Sequence, residues 1–187
     1  MQTEQNVDIE YFQKVMQAII EQIDNLSSIA TAFSSLAQMP VPRKDKINLN
    51  HIIEEVVTLY QDSKINFELN LDENGCWIMA DKEQMRRVFI NLINNAVQAF
   101  PAGEEGTVGI IVQGQNKRMV IVEDNGTGVP ETIRDKLFQP NFTTKTSGSG
   151  LGLAICKSIV EYIGGSIRYE PRQPKGSRFV LTFPPAD

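Results

Sequence analysis

Residues 8 to 39 carry apolar or small side chains at Ile9, Phe12, Met16, Ile19, Ile23, Leu26, Ala30, Phe33 and Ala37. The steps alternate between three and four, which is an a/d heptad stripe and predicts one long helix, on the order of 45 Å at 1.5 Å per residue. Val15, Ile20, Ile29 and Leu36 widen the apolar face. Such a stripe can fold back on its own domain, but its length and regularity favour a bundle helix that pairs with a second copy of the chain. Residues 1–40 are therefore read as a bundle helix. Pro40, Pro42 and the charges that follow end it, and residues 41–46 are read as a linker.

From residue 47 to 187 the periodicity changes. Asn50 is placed to cap a helix carrying Ile52, Ile53, Val56, Val57 and Tyr60. Ile65 to Leu71 alternates as a half-buried strand does, and Cys76 to Ala80 is a second short strand. Asp81 caps a helix from about Lys82 to Phe100. Val108 to Gln113 and Arg118 to Glu123 read as an antiparallel pair, followed by a short helix after Pro130. A loop from Phe138 to Ser149 leads to a helix over Leu151 to Ile163, which Gly164-Gly165 stops. Ile167 to Glu170 and Ser177 to Phe183 are the last strands. This mixture predicts an α+β domain with helices on one face of a mixed sheet.

Composition narrows the ligand. The chain has 187 residues, a net charge of −5 and no basic cluster, which argues against nucleic acid, whose phosphate backbone needs a basic face. No apolar run approaches the roughly 18 residues of a membrane span, so no membrane contact is expected of this segment. Cys76 and Cys156 lack metal-ligand spacing and read as buried thiols of a reducing compartment, with a disulfide as the alternative.

Three polar segments do not fit a plain core. Asp124, followed by Gly126 and Gly128, offers a fixed acceptor for an exocyclic amine, with glycines that let a flat base approach; the alternative is an ordinary Asp-Asn-Gly turn. Asn91 and Asn95 lie four apart on one helix face, and Asn95 can offer its amide oxygen to Mg²⁺; the alternative is that both amides bridge neighbouring loops. Gly148, Gly150, Leu151 and Gly152 open an apolar helix whose N–H groups suit an anion, and Thr143, Thr144 and Lys145 stand just before them, within reach of phosphate oxygens; the alternative is a glycine linker. The spacing is neither a Walker A loop nor a dinucleotide fingerprint. Together the three segments make the parts of a Mg·ATP pocket.

In this order the segments resemble the N, G1, F and G2 boxes of the ATP-binding catalytic domain of sensor histidine kinases, in the wider group with gyrase B, Hsp90 and MutL. The matching residues are Asn91 to Asn95, Asp124 to Gly128, Phe138 to Phe142 and Gly148 to Gly152. Gln98-Ala99 and Phe142-Thr143-Thr144-Lys145 look most like kinases of nitrogen regulation. The resemblance implies a two-layer sandwich and a lid over about Phe138 to Ser149. It also implies that the first 40 residues are the second helix of a dimerisation bundle, that the full protein is a homodimer, and that phosphate passes to a response regulator receiver domain. A cytoplasmic location, with an anchor in a preceding region, is the matching expectation. Catalytic roles fall to Asn91 and Lys145. Relatives that hydrolyse ATP carry glutamate where Asn91 stands, and an amide cannot serve as general base. The only histidine, His51, begins a helix beyond the bundle segment and is followed by Ile52-Ile53, unlike an acceptor. The acceptor is therefore expected on a first bundle helix outside this chain. Two other readings remain: a serine kinase of the anti-sigma-factor type, and a nucleotide-binding dimerisation module without chemistry of its own.

Overall fold

The computed structural model describes residues 11–12, 15–17, 19–20, 22–23, 43–61, 63–101, 103–115, 118–143 and 150–186. The described residues of the N-terminal segment are helical, and Tyr11, Phe12, Val15, Met16, Ile19, Ile20 and Ile23 are all exposed. The rest of the predicted stripe lies outside the described residues.

The second unit starts with strand β1 (Asp45–Asn48), which pairs antiparallel with β3 (Trp77–Ala80) in a two-stranded sheet. Asp45 and Lys46 thus belong to a strand where the pattern suggested linker. Helix α1 (Leu49–Val57) follows directly. Its cap is Asn48, not Asn50: Asn48 Oδ1 accepts from Asn50 N at 3.1 Å and from Cys76 N at 3.2 Å. Asn50 instead donates its side-chain amide to Asp72 O at 2.9 Å. Both asparagines suit a cap, and the tertiary bond to Cys76 favours Asn48.

A five-stranded sheet forms the second layer. Its strands are β2 (Ile65–Asn70), β4 (Gly106–Gln113), β5 (Arg118–Asp124), β6 (Ser166–Pro171) and β7 (Ser177–Phe183), in the order β2-β4-β5-β7-β6. Only the β2–β4 pair is parallel. Helices α1, α2 (Lys82–Val97) and α3 (Gly152–Tyr162) bury apolar stripes against it, and the α+β sandwich with helices on one face is as the pattern predicts. α2 is the centre of that layer: Met85, Val88, Phe89, Leu92, Ile93 and Ala96 recur at three- and four-residue steps and are all buried. The core takes its other half from Val108, Ile110, Val120, Val122 and Leu181. A 3₁₀ turn over Glu131–Lys136 occupies the place of the short helix expected after Pro130. Cys76 and Cys156 are buried and unpaired with each other. Burial pushes the Cys156 thiol up to about 12 and that of Cys76 to about 11, so both stay protonated and packed as small hydrophobes.

The N-cap of α2 carries more than its own helix. Asp81 Oδ1 accepts from Gln84 N at 3.0 Å, while Oδ2 accepts from Arg43 N at 3.0 Å and so ties the chain entering β1 to the start of α2. Asp81→Ala should lower stability by about 1 kcal/mol, read as a drop in the urea midpoint with an unchanged slope; an unchanged midpoint would show that the cap is dispensable.

Candidate functional site

Between the C-terminal half of α2, the end of β5, the 3₁₀ turn and the start of α3 lies a cavity of about 450 Å³. One wall is polar. Asn91, Asn94, Asn95 and Gln98 face it from α2, at spacings that put four amides on one helix side while the opposite side fills the core. Asn91 donates Nδ2 to Arg87 O at 3.0 Å, one helical turn back, so its oxygen is the end that remains for other contacts. A Cβ on Gly152 would stand 2.9 Å from that oxygen, so only glycine lets the first turn of α3 approach Asn91 this closely. α3 starts at Gly152, which lines the cavity, and a helix N-terminus there suits an anion.

At the far end sits Asp124, 2% exposed. Its Oδ1 accepts from Gly126 N at 2.9 Å and from Ser177 N at 3.2 Å. Burial raises its carboxyl above the ordinary range, and the Gly126 and Ser177 bonds only partly offset this. Gly176 lies so close above Asp124 that any Cβ would run into the Asp124 carbonyl oxygen. Gly126 packs against Ala99 at the end of α2, where a Cβ would come within 2.6 Å of the Ala99 oxygen, and Thr127 N donates to that same oxygen at 3.0 Å. Gly128 turns with φ +71°, against Gly176. The opposite wall is apolar: Val129, Pro130, Ile133, Leu137 and Phe179 line it. Phe138 and Tyr169 hold Phe179 edge-on, with ring centroids at 6.4 and 5.5 Å.

The cavity thus gathers Asn91, Asn95, Asp124, Gly128, Thr143, Gly150 and Gly152 from segments far apart in the chain. Gly126 stands just behind the Asp124 carboxylate, and Leu151 begins the helix that closes the far end. Thr144, Lys145 and Gly148 lie outside the described residues. Gly150 (φ +66°) nests against Asn141 and Phe142, so the two ends of the 138–149 loop meet at the cavity mouth. Asn125, which the sequence left as part of the turn, braces β4 instead: its Oδ1 accepts from Thr107 N at 2.8 Å. Four contributors were given no role at the site from the sequence: Ser177 and Gly176, which lie against Asp124, and Asn94 and Gln98, which complete the amide face. The last two were detectable, because they continue the three- and four-residue steps of Asn91 and Asn95.

A cavity of this size, part polar and part apolar, with a buried acceptor at one end and a helix N-terminus at the other, has the makings of a ligand site on an α+β sandwich. Residues 80–187 match the family described as histidine kinase-, DNA gyrase B-, and HSP90-like ATPase, and the chain belongs to it. Membership of that family implies that the chain binds ATP. The signal transduction histidine-protein kinase AtoS of Escherichia coli (strain K12) is 29% identical over 176 residues, 92% of this chain and 29% of AtoS. Sporulation kinase A of Bacillus subtilis (strain 168) is 34% identical over 168 residues, 85% of this chain and 27% of that kinase. The chain therefore spans less than a third of these curated relatives. Among solved structures, the catalytic domain of the histidine kinase ThkA in a nucleotide-free form is 36% identical with a TM-score of 0.68, over 75% of this chain and 96% of that domain. ThkA in complex with the response regulator protein TrrA is 31% identical with a TM-score of 0.73, over 92% of this chain and 51% of ThkA.

The raised Asp124 carboxyl has a stability consequence. A carboxyl whose folded pKa exceeds its unfolded value penalises the fold once ionised; the penalty is absent below the ordinary carboxylate range and complete above the raised pKa. Asp124→Asn keeps the Oδ1 acceptor and removes the charge. Its thermal midpoint at neutral pH should equal or exceed that of the wild type, with the gap closing on acidification. A midpoint several degrees lower at pH 7 would show that the carboxylate stabilises the fold.

Proposed function

We propose that this chain is the catalytic, ATP-binding part of a two-component sensor histidine kinase, presenting the γ-phosphoryl of Mg·ATP to a histidine outside it. The observation that carries this is the buried Asp124 carboxylate facing a cavity whose other end is the N-terminus of helix α3. Asp124 accepts from the adenine amine, and the apolar wall of Ile133, Leu137 and Phe179 takes the base. Guanine places an oxygen where adenine has the amine, so Asp124 disfavours it.

At the phosphate end the work is positioning and charge neutralisation. The first turn of α3, Thr143, Thr144 and Lys145 and the Gly148–Gly152 amides serve the phosphates. Mg²⁺ fits an amide side chain on the cavity wall, since the ion prefers oxygen donors and is commonly held by one or two protein groups together with phosphates. Asn95 would hold it, and the ion would neutralise charge on the phosphate chain. Asn91 leaves water without a base, so bound ATP hydrolyses slowly.

The exposed apolar residues of the N-terminal helix, Phe12, Met16, Ile19 and Ile23 among them, support pairing with a second copy in the full protein. The likeness to ThkA in its complex with TrrA supports a response regulator receiver domain as the next phosphate acceptor. No helix among the described residues is long and apolar enough to cross a membrane, consistent with a cytoplasmic catalytic part.

Isothermal titration tests the reading. Mg·ATP should bind saturably and Mg·GTP at least tenfold more weakly. Asp124→Asn should lose most ATP affinity with its fold intact, and removing Mg²⁺ should weaken binding. Equal affinity of Asp124→Asn and wild type would refute the adenine role, and ATP binding indifferent to the metal would remove Asn95 from the Mg²⁺ site.

A further inference from the structure

Asn94 is the member of the amide face whose orientation is set from outside α2. The hydroxyl of Tyr60, 34 residues earlier and just past the end of α1, donates to Asn94 Oδ1 at 2.8 Å. Tyr60 is itself held firmly. Its ring packs against Phe67 of β2, with centroids 5.9 Å apart, and its carbonyl oxygen accepts from both Ser63 N at 3.0 Å and Ser63 Oγ at 2.7 Å. Its phenol is pushed above the usual tyrosine range by burial, so the hydroxyl keeps its proton and remains a donor.

An amide whose oxygen is turned toward a donor on one side directs its N–H groups to the other. Asn91, tied by Nδ2 to the Arg87 carbonyl, offers the reverse, an oxygen. Asn94 sits one turn nearer the adenine end than Asn91, which touches Gly152 at the phosphate end. Resting on the ATP site proposed above, we infer that Tyr60 is a positioning residue of that site, fixing Asn94 so that its Nδ2 donates to an oxygen of the phosphate chain. The turn after α1 thereby belongs to the nucleotide site although it supplies no residue to the cavity wall.

Titrations of ATP, ADP and adenosine into wild type, Tyr60→Phe, Asn94→Ala and the double variant test this. Wild-type binding of ATP establishes the site independently of Tyr60. Tyr60→Phe should then weaken ATP and ADP about three- to tenfold, the range of one hydrogen bond, and leave adenosine unchanged. In the Asn94→Ala background Tyr60→Phe should cost nothing more, because the group it positions is gone. Asn94→Asp, which keeps the acceptor for Tyr60 but offers no donor, should lose ATP more severely than Asn94→Ala. Wild-type affinity in Tyr60→Phe, or an equal loss with and without Asn94, would overturn the inference by making Tyr60 merely a packing residue. An equal loss for adenosine would overturn the phosphate assignment.

Discussion

The site depends on one constraint: a carboxylate must be kept ionised while almost wholly removed from water. An isolated buried charge is expensive, and burial is the largest influence on Asp124, with the Arg172 charge only a small counterweight. Two backbone N–H groups, from Gly126 and Ser177, offset part of that cost, and the chain is shaped around them. The register of β5 against β7 delivers Ser177, since Glu123 pairs with Arg178 and the next step along each strand brings Asp124 and Ser177 together. Glu123 points to the opposite face and is clamped by Arg178 at 2.7 Å and Arg172 at 3.3 Å. Ion pairs this near the surface add little stability. Their contribution here is to hold the ends of two strands in register, so that the neighbouring carboxylate meets its donors.

α2 answers a second demand, serving core and site at once. Its buried stripe is apolar and its cavity side is a row of amides, so a single 16-residue helix separates the apolar core from the cavity. Amides suit that boundary better than charges. They desolvate at lower cost and can present either an acceptor or a donor, according to what holds their other end.

That division explains what could be read in the chain. Asn91 and Asn95 were legible because they break an otherwise apolar helix pattern at a helical spacing, and Asp124 because glycines flank it. Ser177, 53 residues from Asp124, looks like any strand-opening serine until β7 is laid against β5. Tyr60 looks like the last apolar residue of α1; its hydroxyl partner appears only once α1 and α2 pack. β1 was missed for another reason. It has four residues and two of them are exposed and charged, so its strand character comes from pairing with β3 and not from alternation. The cap of α1 turned on a bond to Cys76, which no local pattern contains.

The helix start at Gly152 ties the two ends of the site together. Because Asn91 gives its N–H to Arg87, the oxygen is what it turns toward α3, and Gly152 is small enough to let the two meet. In the proposed ATP site, a carboxylate in that place would bring a full negative charge beside the phosphates and a base beside any water there. The amide brings a dipole and no basicity. Its oxygen can orient a neighbour but cannot take a proton from it. Under the proposed function, a pocket built this way would hold a phosphoanhydride without spending it on water, the property required where the acceptor is a histidine of another segment.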